Sequence, residues 1–241
     1  MQRNTDHSGQ PVGEAVPEWT PPPLPSREPM VGRRCTLAPF DSNAHAKSLY
    51  AANTLDVAGE MWTYLPYGPF RTLDSYRAWM DASCQSEDPL FYAVVDNATG
   101  MAVGVASYLR IDPRSGSIEV GHIGYSPLLQ RTPAATEAMY LMMDRAFGLG
   151  YRRYEWKCNA LNAPSRTAAQ RFGLSFEGIF RQALIVKGRN RDTAWYAAID
   201  KDWPELKAAF VRWLDPTNFD EQGKQRLRLS ALTHPILNQC G

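Results

Sequence analysis

The stretch from Ser117 to Cys158 most limits how this chain can fold. Ser117 to Tyr125 reads as a strand, and Ala134 to Phe147 then carries apolar residues at helical spacing until Gly148 and Gly150 stop it. Tyr151 to Cys158 is strand again. Upstream, Leu90 to Val95 and Met101 to Ile111 are joined by the turn Asn97-Ala98-Thr99-Gly100, and Pro113-Arg114-Ser115-Gly116 leads into Ser117. Short turns of this kind connect antiparallel strands, whereas a helix between two strands is a crossover. With Arg33 to Pro39 as a first strand, the order predicts a mixed sheet flanked by helices. The class is α/β (α+β), with the crossover after the fourth strand.

The flanking segments follow the same local rules. Asp41 or Ser42 caps a helix through Ala52, and Thr72 caps a second one containing Tyr76, Trp79 and Met80. Between them, Trp62 to Phe70 is aromatic and holds two prolines and a glycine, which forbid a regular element. Beyond Cys158 come a short helix, Ala163 to Phe172, and strands at Leu174 to Phe180, Ala183 to Lys187 and Thr193 to Asp200. Asp202 caps a last helix through Leu214. Seven prolines among the first 30 residues remove backbone donors, so residues 1–30 read as a flexible tail, 31–215 as the folded domain and 216–241 as a polar tail.

Composition excludes several classes. A net charge of +1 with no concentrated basic stripe argues against a nucleic-acid partner. The absence of about 18 consecutive apolar residues argues against a membrane span. The four cysteines, Cys35, Cys84, Cys158 and Cys240, are scattered, so we expect reduced thiols, no metal and a cytoplasmic location.

The chemistry is expected where the strand Ser117–Tyr125 runs through Gln130-Arg131-Thr132-Pro133-Ala134-Ala135-Thr136 into a helix. Unpaired N–H groups and the positive end of the helix dipole meet there and suit a pyrophosphate, with Arg131 adding charge at the rim. Ala134 and Ala135 are small enough to let phosphates approach the backbone. Glu119 and His122, on the preceding strand, are candidates for proton transfer. Their odd spacing predicts that they point to opposite faces. Glu119 reads equally as an edge charge pairing with Arg110 or Arg152, and His122 as a satisfied core histidine.

Together these stretches resemble the GNAT acetyltransferases, and in particular the RimJ/RimL branch. Gln130 and Ala135 fill the ends of the pattern Gln/Arg-x-x-Gly-x-Gly/Ala, with Pro133 in place of the middle glycine. Asn162 and Ser165 match the branch's Asn-x-x-Ser, followed by a helix and the Gly173-Leu174 step into a strand. Phe176-Glu177-Gly178, Arg181 and Gly188 to Asp192 resemble its closing strands. The resemblance runs from about Gly32 to Leu214.

The resemblance implies a mostly antiparallel central sheet with one parallel pair, Ser117–Tyr125 and Tyr151–Cys158, splayed at the cofactor cleft. Acetyl-CoA, the cosubstrate, would pair through its pantetheine arm with backbone at Ile123, Gly124 and Tyr125. Gln130, Arg131, Thr132, Ala134, Ala135 and Thr136 would hold its pyrophosphate, with Asn162 and Ser165 beside it. A primary amine, on a small molecule or at a peptide or protein N-terminus, would attack the thioester directly. Ser165 would protonate the leaving sulfur, or else cap its helix; Ala169 stands where many family members carry a tyrosine. The base is left open between His122, Glu119 and water, because Leu184 stands where the branch has a carboxylate. Trp62, Tyr64 and Tyr67 would shape the acceptor pocket, and Asp192 would orient the amine or pair with Arg189 or Arg191. A homodimer is compatible with this reading, as is a non-catalytic CoA-binding module.

Overall fold

A computed structural model describes residues 4–241 and places eight strands in one sheet, in the order β1-β2-β3-β4-β5-β6-β8-β7. The elements are β1 (Met30–Val31), β2 (Cys35–Pro39), α1 (Ser42–Asn53), α2 (Leu73–Ser83), β3 (Leu90–Asp96), β4 (Ala102–Asp112) and β5 (Ser117–Tyr125). There follow α3 (Pro133–Gly148), β6 (Arg153–Asn159), α4 (Ala163–Arg171), β7 (Ser175–Val186), β8 (Arg189–Ile199), α5 (Trp203–Leu214) and α6 (Leu229–Thr233). Every neighbouring pair is antiparallel except β5 and β6, which the α3 crossover makes parallel. The mixed class and the single parallel pair are therefore as the sequence implied.

Each face of the sheet has its own core. On one side Ile118, Val120, Tyr154 and Tyr196 pack with Met139 of α3 and Phe210 of α5. On the other, Phe91 and Val105 pack with Leu49 of α1, Tyr76 of α2 and Trp62 of the connecting segment. Burying the two apolar faces is the main stabilising term. No helix among the described residues is long and apolar enough to cross a membrane.

The helix starts follow from their capping residues. Asp41 accepts from Asn43 and Ala44 backbone N–H, and Thr72 forms a reciprocal capping box with Ser75. Asp202 differs from expectation. It sits at the start of α5, but its carboxylate turns back to accept from Ile199 N at 3.3 Å and makes no cap bond. The two strands expected over 174–187 are one strand, β7. The break read between them is a bulge at Gln182, whose φ is 53°, where the register against β8 slips between Phe180 and Leu184.

The terminal segments lie against the body. Trp19 Nε1 donates to Arg114 O at 3.1 Å, and Tyr92 OH donates to Ser26 O at 2.7 Å. Residues 216–241 contribute α6, whose Leu229 is fully buried in the α3 core. Phe176 N donates to Gln239 O at 3.0 Å, so the chain end runs beside β7.

One tie anchors α3 to the start of the sheet. The buried Glu137 carboxylate accepts from Arg33 N (3.0 Å), Arg34 N (2.6 Å) and Cys35 N (2.9 Å). Gly32 is required beside it, because a Cβ there would lie 2.6 Å from Glu137 Oε2 and 2.9 Å from Cys35 O. Replacing Glu137 with Ala strands three backbone donors. The expected loss is about 3 kcal/mol, from the cost of unsatisfied buried N–H groups. In a chain of this size that lowers the melting temperature by roughly 6–12 °C. Thermal unfolding followed by circular dichroism measures it; a melting temperature within about 2 °C of wild type would refute the assigned role of the tie.

Candidate active site

The site begins with a break in step. Val105 and Ser107 of β4 pair with Gly124 and Gly121 of β5, so two steps on one strand face three on the other. The extra residue is taken up at His122, whose φ is 50°. A bulge of this kind reverses the alternation of side chains beyond it. Ile118 and Val120 point into the α3 core, while His122 packs on the opposite face against Phe91, with ring centroids 5.0 Å apart, and stacks with Tyr67 at 5.7 Å. Glu119 and His122 therefore share a face, and the odd-spacing expectation fails because the strand is not regular between them.

The bulge also marks where β5 leaves β6. Their parallel ladder ends at Val120 and Trp156, while β6 continues against β8 to Asn159. A cleft of about 280 Å³ fills the gap. Glu119, His122 and Ile123 line it from β5, Lys157 and Cys158 from β6, and Asn162 and Ser165 from α4. Met61, Tyr64 and Leu65 close one side, and Leu184, Val186 and Arg191 close the other. Lys187 Nζ donates to Trp62 O at 2.8 Å and joins these sides, while Tyr64 OH donates to Leu161 O at 3.2 Å in the connection between β6 and α4. A larger hollow of about 420 Å³ on the outer side of the α1–α2 segment contains none of Glu119, His122 or Ser165.

Charge inside the cleft is dense. Glu119 is 3% exposed, and its Oε2 lies 3.0 Å from Lys157 Nζ and 3.3 Å from Arg110 Nε. Arg152, the other partner considered, instead packs over Trp19. Burial raises the Glu119 carboxyl above the usual range, and the Lys157 and Arg110 charges only partly counter it. His122 moves the other way. Burial, then the Arg110 and Arg191 charges, push its imidazole down to about 4, so it is neutral at neutral pH. Its Nδ1 is buried and has no hydrogen-bond partner among the described residues.

Ser165 does not cap α4; Asn162 does, accepting from Ser165 N at 3.2 Å. The Ser165 hydroxyl instead accepts from Trp156 Nε1 at 3.0 Å. That contact occupies an oxygen lone pair, and on its other side the hydroxyl faces the Cys158 sulfur, whose pKa burial raises and this contact lowers in part.

The loop before α3 is more occupied than its sequence suggests. Thr132 caps the helix, accepting from Ala135 N at 3.2 Å and donating to Leu129 O at 2.7 Å. Pro133 stands in the first turn with no N–H. Ala134 N is then the first-turn amide without an acceptor among the described residues. Arg131 has a φ of 61° and an exposed side chain. Gln130 Nε2 donates to Tyr125 O at 2.8 Å, and Thr136 Oγ1 accepts from Arg171 at 3.0 Å. From Gly121 to Tyr125, β5 has a strand neighbour only on the β4 side, and this leaves Ile123, Gly124 and Tyr125 bordering the gap.

Glu119, His122, Ile123, Tyr64, Asn162 and Ser165 thus meet at one cleft. Trp62 and Tyr67 do not line it. Trp62 is buried under α1 and α2, and Tyr67 stands behind His122 against Trp79 at 4.2 Å. Asp192 accepts from Gln182 N (2.7 Å) and Asn190 Nδ2 (3.0 Å), and so holds the β7 bulge. Lys157, Trp156 and Arg191 belong to the cleft and were not singled out from sequence. The available signal was the alternation of Arg153, Glu155 and Lys157 with Tyr154, Trp156 and Cys158 along β6, which puts the charged residues on one face.

The comparisons agree with this geometry. The family model "Acetyltransferase (GNAT) domain" matches residues 34–175, more than half of the chain. A GCN5-related N-acetyltransferase from Brucella melitensis is 47% identical, covers 91% of this chain and 100% of its own, and superposes with a TM-score of 0.89. A GNAT-family protein from Chromobacterium violaceum is 37% identical over 81% of this chain and 98% of its own, with a TM-score of 0.75. RimL, a ribosomal-protein α-N-acetyltransferase, shares the fold at 21% identity over 71% of this chain and 94% of its own, with a TM-score of 0.61. No curated protein is matched. The chain belongs to the GNAT acetyltransferase family, whose members transfer acetyl groups from acetyl-CoA.

The depressed His122 predicts a pH signature. The unfolded chain binds a proton on this imidazole below about 6.5, whereas the native state does not until about 4. The stability this histidine confers is present above 6.5 and is lost as pH falls toward 4. From pH 7 to pH 5 the wild type should lose on the order of 2 kcal/mol more than His122→Gln. Urea unfolding at both pH values reads the difference, and equal losses would contradict a neutral buried His122.

Proposed function

We propose that this chain acetylates a primary amine by direct attack on acetyl-CoA, in the manner of the RimJ/RimL branch. One observation carries the reading. The β5–β6 ladder stops after Val120 and Trp156, and the gap is lined by a buried carboxylate and a serine hydroxyl that accepts from Trp156. Backbone at Ile123, Gly124 and Tyr125 would receive the pantetheine arm as an added strand, and one of these amides would stabilise the oxyanion. Ala134 N and Arg131 at the start of α3 would face the pyrophosphate.

Glu119 takes the proton of the incoming ammonium, directly or through a water. Its burial-raised pKa brings it closer to the working pH than an ordinary carboxylate. His122, held near 4, is a poor proton acceptor there, and serves instead to pack the wall beside Glu119. Ser165, polarised by Trp156, gives its proton to the leaving sulfur. The joined rim at Lys187–Trp62 and Tyr64–Leu161 favours a small amine over a protein N-terminus.

Calorimetry with acetyl-CoA and thiol release against an amine panel test the assignment; acetyl-CoA binding without thiol release for any amine would defeat it. Ser165→Ala should lower kcat roughly 10- to 100-fold while changing KM for acetyl-CoA less than about twofold, because it acts on the leaving group. Glu119→Gln should lower kcat/KM for the amine by roughly 10²–10⁴. It should also remove the acidic limb of the pH profile, since only an ionised Glu119 accepts the proton. An acidic limb that persists in Glu119→Gln would assign the base elsewhere.

A further inference from the structure

The charges around the cleft form a chain that balances, with one cation left over. Glu177 meets Arg153 at 2.5 Å, Arg153 meets Glu155 at 2.6 Å, and Glu155 meets Lys157 at 2.7 Å. Lys157 then meets Glu119 at 3.0 Å, and Glu119 meets Arg110 at 3.3 Å. Carboxylates and cations alternate, so each negative group has its neighbour. Arg191 stands outside this chain. It makes no ion pair, and its Nε is buried without a hydrogen-bond partner among the described residues.

Arg191 lines the cleft on the side of Leu184 and Val186, across from Tyr64 and away from the α3 N-terminus. Glu119 acts on it from beyond ion-pair distance, and a half-buried guanidinium with no carboxylate in direct contact is costly unless something else supplies one. Its planar donors suit a carboxylate or a phosphate oxygen pair. His122 Nδ1 and Glu119 Oε2, which line the same cleft, are also buried without a hydrogen-bond partner among the described residues. The same Arg191 charge bears on both His122 and Glu119, which places it within reach of where the amine would lose its proton.

We propose that Arg191 is an anion subsite for the acceptor, and that the acceptor is a small primary amine bearing a carboxylate or phosphate. This rests on the amine-transfer reading of the cleft. Glu119 would sit at the ammonium end of such a molecule and Arg191 at its anionic end, so one wall reads both charges.

Matched amines test it. Wild type should use γ-aminobutyrate and O-phosphoethanolamine with kcat/KM at least tenfold above n-butylamine and ethylamine, respectively; which anionic amine leads tells carboxylate from phosphate. Arg191→Gln should abolish that preference by raising KM for the anionic amines, with KM for acetyl-CoA moving less than twofold and Arg191→Lys restoring part of it. Equal use of neutral and anionic amines by wild type, or an Arg191→Gln defect confined to acetyl-CoA KM, would overturn the subsite. Calorimetry with the products N-acetyl-γ-aminobutyrate and N-acetyl-O-phosphoethanolamine decides it apart from turnover. Binding of either product to wild type that is lost in Arg191→Gln supports the subsite even if no amine is acetylated, a result that would count only against amine transfer. Binding of both products that is absent from wild type or unchanged in the variant overturns it. Should Arg191→Gln fail to fold, by thermal melt, the wild-type preference alone decides.

Discussion

At His122 the backbone of β5 takes a left-handed turn, and the surroundings of the cleft depend on it. A regular strand there would keep pairing with β6 and would send His122 into the α3 core beside Ile118 and Val120. The bulge instead puts one extra residue against β4, ends the parallel ladder at Val120, and returns His122 to the face that carries Glu119. A non-glycine residue at positive φ costs of the order of 1 kcal/mol or more. The aromatic packing of Phe91 and Tyr67 on the imidazole offsets that cost in part. A single conformational choice thus opens the gap and puts Glu119 and His122 on the same wall of it.

Around that gap, burial and charge act against each other. Glu119 is buried enough that desolvation outweighs two nearby cations, so its carboxyl is raised. Lys157 is held between Glu119 and Glu155 and packs over the Trp195 ring at 3.7 Å, which fixes the ammonium in place with little freedom. Buried ion pairs add little net stability, since desolvation cancels most of their attraction. Their effect here is on geometry. They keep Glu119 at the floor of the cleft, while burial, with the Arg110 and Arg191 charges, depresses His122 and separates the proton affinities of the two groups.

What was legible in the sequence was what is set locally. Asp41 and Thr72 cap their helices because short side-chain acceptors next to apolar periods do so in any context. The meander and crossover were readable from turn residues and period alone, and with them the mixed sheet. The bulge was not, because a histidine in a left-handed conformation carries no mark such as glycine would give. Face assignments drawn from odd and even spacing failed with it. Asp192 looked available but is spent on Gln182 N and Asn190, a local bond that only the β7 bulge creates. Arg191 entered the sequence reading as a partner for Asp192, since its isolation depends on which carboxylates the fold sends to Arg153, Lys157 and Arg110. The five-residue α6 is too short for a periodic signal, and its burial is decided by the α4 and α5 surfaces it meets.

Pro133 shows how a departure from a family pattern can be absorbed. A glycine at that position would supply an amide to a bound anion, and proline supplies none. Thr132 further claims the amide of Ala135 for the helix cap. The first turn of α3 is left with Ala134 N and the helix dipole. In compensation, the loop is stiff. Pro133 fixes the helix start, Thr132 ties it to Leu129 O, and Gln130 bonds the Tyr125 carbonyl. Four residues later, Glu137 pins α3 to the turn into β2 through three backbone bonds. An anion site with few donors binds well only if those donors do not move, because each degree of freedom frozen on binding subtracts from the interaction. The rigidity that begins at Glu137 therefore holds the α3 terminus directly, and it leaves Arg131 as the exposed charge beside it.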